Sequence, residues 1–156
     1  MKNLFILLFS LGISASSIGQ TAQMVQDSQD IQTLLDNMAK AWNMHDAAAF
    51  SIGFSEDADF TNVVGMSAHG RDSIEKFHKK PFATWFKNSS LKITEKKIRY
   101  ITGDITEVDV WWEMTGAQAP DGKNIPLRKG LINLVMMRSG DKWLILIMHN
   151  MDLPVS

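Results

Sequence analysis

The chain has no cysteine in its 156 residues. That single absence excludes a disulfide framework, a lipid-anchored cysteine and a thiol nucleophile, so stability has to come from an apolar core. Strong charge of either sign is missing too: 16 basic residues stand against 17 acidic ones, and nothing here attracts nucleic acid. The apolar run Leu4 to Ile13 (LFILLFSLGI) is shorter than the roughly 20 residues a membrane span needs. There is no internal repeat, low-complexity tract or interdomain linker. His45, His69 and His78 show no paired metal-ligand spacing, the stretch Gly65 to His69 is not a nucleophile elbow, and no phosphate-binding loop occurs. Neither a metal nor a cofactor is expected.

What is present starts with an export signal. Lys2 supplies a positive start, Leu4 to Ile13 is apolar, and Ser14 to Gly19 is small and polar, the pattern of a secretory signal cleaved near Gly19. Removing residues 1–19 takes away one basic residue and no acid, so the mature charge is about −2. The protein is expected to be periplasmic or secreted, with no membrane span in the mature chain. The remaining length suits one domain of about 100 to 200 residues.

Residues 20–29 are polar and are expected to be flexible. Ile31, Leu34, Leu35, Met38, Ala41 and Trp42 then recur at three- and four-residue steps, which predicts an amphipathic helix with Asp27 or Ser28 as its cap. Asp46 can cap a second, short helix through Phe50. Asp59 to Val64 is strand-like and Gly65 marks a turn. Gly70 introduces a third helix with Ile74 and Phe77 on its apolar face, ended or kinked by Pro81.

The second half changes character. Leu91 to Ile101, Ile105 to Thr115, Asn124 to Arg138 and Trp143 to Asp152 are strand-like runs separated by turn residues. Short connections favour antiparallel neighbours, so about three N-terminal helices should cover a curved antiparallel sheet. In the strand from Ile105, Thr106, Val108, Val110, Trp112 and Met114 share the core face, while Glu107, Asp109, Trp111 and Glu113 share the outer one. A tryptophan on an acidic outer face is either ordinary surface or the centre of a homodimer contact.

Four segments carry a family resemblance: W-N-x-x-D at Trp42 to Asp46, F-x-x-D-A-D-F at Phe54 to Phe60, G-R-x-x-I at Gly70 to Ile74, and W-x-I-x-x-x-H-N at Trp143 to Asn150. With the helices-then-sheet order, they make the chain resemble the SnoaL-like, nuclear transport factor 2-like superfamily, closest to its SgcJ/EcaC-type group. The likeness covers residues 30–152, leaving 153–156 as a tail. It implies an α+β fold of the cystatin-like type, a cone-shaped barrel whose open end admits a small molecule. The same fold hosts isomerases, dehydratases, cyclases, binding modules and assembly scaffolds, so it does not choose a function.

The resemblance also says where chemistry would sit. In similar ketosteroid isomerases an aspartate shuttles the substrate proton; that position here is Asn62, and the oxyanion tyrosine falls on Met38. An amide can hold a ligand polar group but is no general base near neutral pH, so isomerase chemistry of that type is disfavoured. Asn62 otherwise bonds its own backbone in a turn. Asn133, near the second oxyanion donor of those isomerases, either faces the pocket or pairs with a neighbour. Asn150 stands where similar assembly domains keep a pocket arginine. Trp42, Phe54, Phe60 and Trp112 form an expected aromatic wall, with Met38, Met66 and Met114 as filler, or plain core. Arg128 is read as surface.

These residues point to an exported domain that binds a small apolar or carbonyl-containing molecule through Met38, Trp42, Phe54, Phe60, Asn62, Trp112, Asn133 and Asn150. The alternative is a cofactor-free acid–base enzyme using His149, because imidazole is the side chain type suited to proton exchange near neutral pH. A third reading is a dimeric interaction module.

Overall fold

The computed structural model describes residues 14–155, with side chains from residue 19 onward. Residues 1–13 of the expected export signal lie outside the described residues. The first helix, α1 (Ser14–Asn43), buries Ile31, Leu35, Met38, Ala41 and Trp42, the stripe that the three- and four-residue spacing predicts.

The helix also runs through Thr21 to Gln29, where the sequence leads one to expect fraying, and it places Asp27 in its interior rather than at a cap. The cause is an ion pair that local pattern cannot reveal. The Asp27 side chain is buried, and Arg138, 111 residues later in the chain by number, reaches its carboxylate at 2.5 Å. Gln23 Nε2 donates to the same carboxylate at 2.9 Å. The Arg138 guanidinium lies 4.7 Å from the Trp143 ring centroid, and Tyr100 Oη donates to the Met24 carbonyl at 3.2 Å. These contacts clamp the early turns of α1 to the end of the sheet.

A left-handed residue, His45 (φ 54°), turns the chain into α2 (Ala47–Ser51), where the Asp46 carboxylate accepts from Ala49 N at 2.9 Å as the capping argument requires. Strand β1 (Phe54–Thr61) and the short β2 (Ser67–His69) follow, then α3 (Arg71–Ala83). The remaining strands are β3 (Ser90–Tyr100), β4 (Ile105–Thr115), β5 (Arg128–Ser139) and β6 (Lys142–Leu153). The segment 124–127, read as strand from its composition, belongs instead to the β4–β5 connection, where Ile125 N donates to the Ala117 carbonyl.

The six strands form one curved, open sheet in the order β2-β1-β6-β5-β4-β3. From β3 to β6 every pair is antiparallel, dictated by short turns between β3 and β4 and between β5 and β6, while a longer connection joins β4 to β5. The exception is β1, which runs parallel to β6. These two strands are joined by most of the chain rather than by a hairpin, so no short connection imposes their direction.

Two departures from regular pairing shape the inner face. In β6, Ile145 pairs with Met136 and Ile147 with Val135, which leaves Leu146 as an extra residue. Such a bulge reverses the alternation beyond it. Trp143 and Ile145 point inward before it, and Met148 and Asn150 point inward after it. In β5, Gly130 is enforced by packing: a Cβ there would collide with the Trp112 ring and the Met151 carbonyl.

The Asp27–Arg138 clamp has a defined pH signature. Burial alone would raise the Asp27 carboxyl. The bonds from Arg138 and Gln23 and the Arg138 charge outweigh that effect and hold it below its ordinary value. A carboxyl lowered by folding stabilises above its unfolded value of about 3.9 and loses that contribution as pH falls through the folded value. Asp27→Asn should cost about 2 kcal/mol at pH 7, with the gap to the parent narrowing below about pH 4. Urea unfolding at both pH values checks this, and a gap that does not change with pH would contradict it.

Candidate functional site

Between the helices and the inner face of the sheet lies a cavity of about 570 Å³, within the size range of small-molecule sites. Its wall is apolar: Trp42 and Met38 from α1, Phe60 from β1, Phe77 from α3, Trp112 and Met114 from β4, Ile132 from β5 and Met148 from β6 all contribute. The rim includes exposed side chains, Val64 at 71% and Met66 at 50%. Trp42 is fixed by its indole N–H, which donates to Ser89 Oγ at 3.1 Å.

Of the residues singled out from sequence, Met38, Trp42, Phe60, Asn62, Trp112 and Asn150 line this cavity. Three others do not. Phe54 is fully buried in the core, its ring 5.8 Å from that of Phe50, and it does not reach the cavity. Asn133 lies on the outer face and donates through Nδ2 to Asp109. It is a cross-strand amide, not a pocket group. His149 is also outside and exposed, opposite Asn133 in the β5–β6 pairing. Counted by alternation from Trp143 it would share the inner face, and the Leu146 bulge is what moves it out and brings Asn150 in.

The histidine that does line the cavity is His78. It sits on α3 in the series Ile74, His78, Phe82, all buried and spaced by four residues, one face of a helix. The rings of Trp42, Phe50, Phe60, Phe77 and Phe82 surround it, with centroids 4.5 to 6.3 Å away. Its Nδ1 is 2.7 Å from the Ile74 carbonyl. A carbonyl only accepts, so Nδ1 carries the hydrogen and Nε2 carries a lone pair. Among the described residues the one buried side-chain polar atom without a partner is Trp143 Nε1. His78 Nε2, which no residue bonds, therefore opens onto the cavity that its ring lines.

Burial pushes the His78 imidazole down to about 4, against a smaller upward pull from the Ile74 carbonyl. Among the described residues no glutamate lines the cavity, and the one carboxylate that does, Asp152, is already engaged. Arg128 donates to both Asp152 oxygens, at 2.7 and 3.0 Å. The Arg128 side chain is 16% exposed and its guanidinium lies 5.6 Å from the Trp112 ring centroid. Rather than a loose surface group, it is a neutralised part of the cavity wall.

Three amides complete the polar lining, Asn62, Asn150 and Gln118, and the first two are held by hydrogen bonds of fixed direction. Asn62 Oδ1 accepts from Val64 N at 3.1 Å and Met66 N at 2.9 Å, which closes the turn between β1 and β2. Asn150 Oδ1 accepts the Trp112 indole N–H at 2.9 Å. The turn role expected for Asn62 and its place at the cavity are thus both realised.

The buried histidine gives a second pH signature. Its folded value lies below the unfolded value of about 6.5, so protons bind preferentially to the unfolded chain as pH falls from about 6.5 to about 4. Stability should drop by about 3 kcal/mol over that window and then flatten. Guanidinium unfolding at pH 7, 5.5 and 4 should show this slope in the parent and its loss in His78→Gln; equal slopes in both would rule out His78 as the source.

The chain can now be set beside known proteins. A family model described as a SnoaL-like domain matches residues 35–141. Among curated proteins none matches. Several solved structures share the architecture. An uncharacterised protein with a cystatin-like fold from Caulobacter vibrioides is 26% identical, with a TM-score of 0.75, over 81% of this chain and 89% of the other. A scytalone-dehydratase-like protein from Novosphingobium aromaticivorans is 15% identical, TM-score 0.74, over 86% and 89%. LinA is 12% identical, TM-score 0.78, over 86% and 90%. At such identities the last two speak for the fold alone. The matched segment spans most of the chain and contains α2, α3 and the greater part of the curved sheet, and the protein belongs to the SnoaL-like domain family.

Proposed function

We propose that this protein is an exported small-molecule-binding domain whose cavity holds a largely apolar ring or carbonyl compound. One observation carries the reading: the one imidazole that lines the cavity among the described residues is walled by aromatic rings, with no described carboxylate beside it. Such a group accepts a hydrogen bond well and a proton poorly. With a value of about 4, protonating it at pH 7 costs about 4 kcal/mol, which works against a general base and not against a binding site.

A second reading, an acid–base enzyme, keeps the same cavity and replaces His149 by His78 as the working group. Its specific support is the unpartnered Nε2, and the shared fold with a scytalone-dehydratase-like protein makes dehydration a reaction worth assaying. A thermal-stability screen of ring ketones, terpenoids and sterols separates the two. At a concentration of 100 times Kd a true ligand should raise Tm by about 5 to 10 °C. The binding reading expects each hit to be recovered unchanged. Conversion of a hit that is lost in folded His78→Phe but kept in His149→Ala would establish the enzyme instead.

The outer face supports self-association as an additional property. Trp111, Leu131 and Met151 sit in one cross-strand row on β4, β5 and β6, where a homodimer would cover them. Expressed with residues 1–19 in place, the chain should be recovered outside the cytoplasm beginning at Gln20. Gel filtration of that material should show a dimer that Trp111→Lys converts to monomer. Retention of the uncleaved chain in the cytoplasm would remove the export reading, and a monomeric parent would remove the dimer.

A further inference from the structure

Two of the cavity's three side-chain amides, Asn62 and Asn150, are locked in one orientation by bonds they already make, and we infer that the site selects a neutral ligand with a hydroxyl at one end and a carbonyl-type acceptor at the other. This inference rests on the cavity being a ligand site.

Backbone N–H groups and an indole N–H can only donate. Asn62 must therefore turn its oxygen to Val64 N and Met66 N, and Asn150 must turn its oxygen to Trp112 Nε1. In both cases the amine is the group left for a ligand. His78 is locked in the opposite sense, because the Ile74 carbonyl claims the Nδ1 hydrogen and leaves Nε2 as an acceptor. Gln118, also on the wall, bonds another amide, Asn124, at 3.3 Å. Either amide of that pair can rotate, so Gln118 imposes no polarity.

The lining thus presents one fixed acceptor on α3, at a residue 4% exposed, and two fixed amine donors on half-buried residues of the β1–β2 turn and β6. Charge is excluded from both directions. Arg128 Nη2 already donates to both Asp152 oxygens, so the pair is neutral overall and leaves the wall no net charge with which to offset a ligand anion or cation. A ligand cation is also disfavoured by desolvation in an apolar wall. The complementary molecule donates to His78 Nε2 and accepts from Asn62 Nδ2 or Asn150 Nδ2. Reversing it would set two acceptors face to face and leave both unpaired.

A matched biphenyl series tests this by isothermal titration calorimetry: biphenyl, its hydroxy derivative, its acetyl derivative, the hydroxy-acetyl compound with the groups on opposite rings, and the carboxylate, each in para and meta forms. The hydroxy-acetyl compound should bind roughly tenfold or more tighter than either singly substituted one. The carboxylate should be weakest. His78→Phe, which keeps an aromatic ring, should abolish the hydroxyl's advantage and spare the acetyl's. Asn62→Asp combined with Asn150→Asp, which still accept the Val64, Met66 and Trp112 N–H groups, should weaken the acetyl's advantage and spare the hydroxyl's. Equal affinities across the series would overturn the inferred polarity while leaving a binding site, and tighter binding of the carboxylate would overturn it equally. No binding by any compound up to its solubility limit would overturn the ligand site as well.

Discussion

One surplus residue in the last strand decides what the cavity contains. Leu146 interrupts the pairing of β6 with β5, and beyond it every side chain changes faces. Met148 becomes part of the wall, Asn150 becomes the partner of Trp112, and His149 is turned out to solvent. A regular strand would have placed an imidazole inside, where it could replace both the amide and the bond that orients Trp112. The polar character of the site follows from this local geometry as much as from residue identity.

The same economy governs His78. An imidazole enclosed by five aromatic rings loses its water, and the one bond it keeps is to a carbonyl in the preceding turn of its own helix. That bond determines which nitrogen carries the hydrogen, and the lack of an adjacent carboxylate determines that the ring stays neutral. In the proposed reading the wall recognises by hydrogen-bond direction and shape, with charge confined to the self-neutralised Arg128–Asp152 pair.

Much of the architecture was legible in the residues because it obeys a short period. The α1 stripe from Ile31 to Trp42 and the inward series from Thr106 to Met114 keep strict helical and strand spacing, and both are buried as expected. The site was legible only where no irregularity intervened. His149 was misplaced by a bulge that leaves no mark in composition. His78 went unrecognised because Pro81 looks like a helix end; α3 in fact continues to Ala83, so Phe82 completes the four-residue series that marks His78 as inward. The early turns of α1 looked unsupported because their anchor, Arg138, comes from the far end of the chain.

Gly130 shapes more than its own strand. Because the Trp112 ring occupies the space any larger side chain would need there, this part of the wall is a fixed template on which sequence drift cannot easily act. The rim at Val64 and Met66, exposed and built on a two-strand turn, carries no comparable packing debt. In the proposed reading, substitutions at the entrance can therefore change which molecule fits while the floor around Trp112 stays as it is.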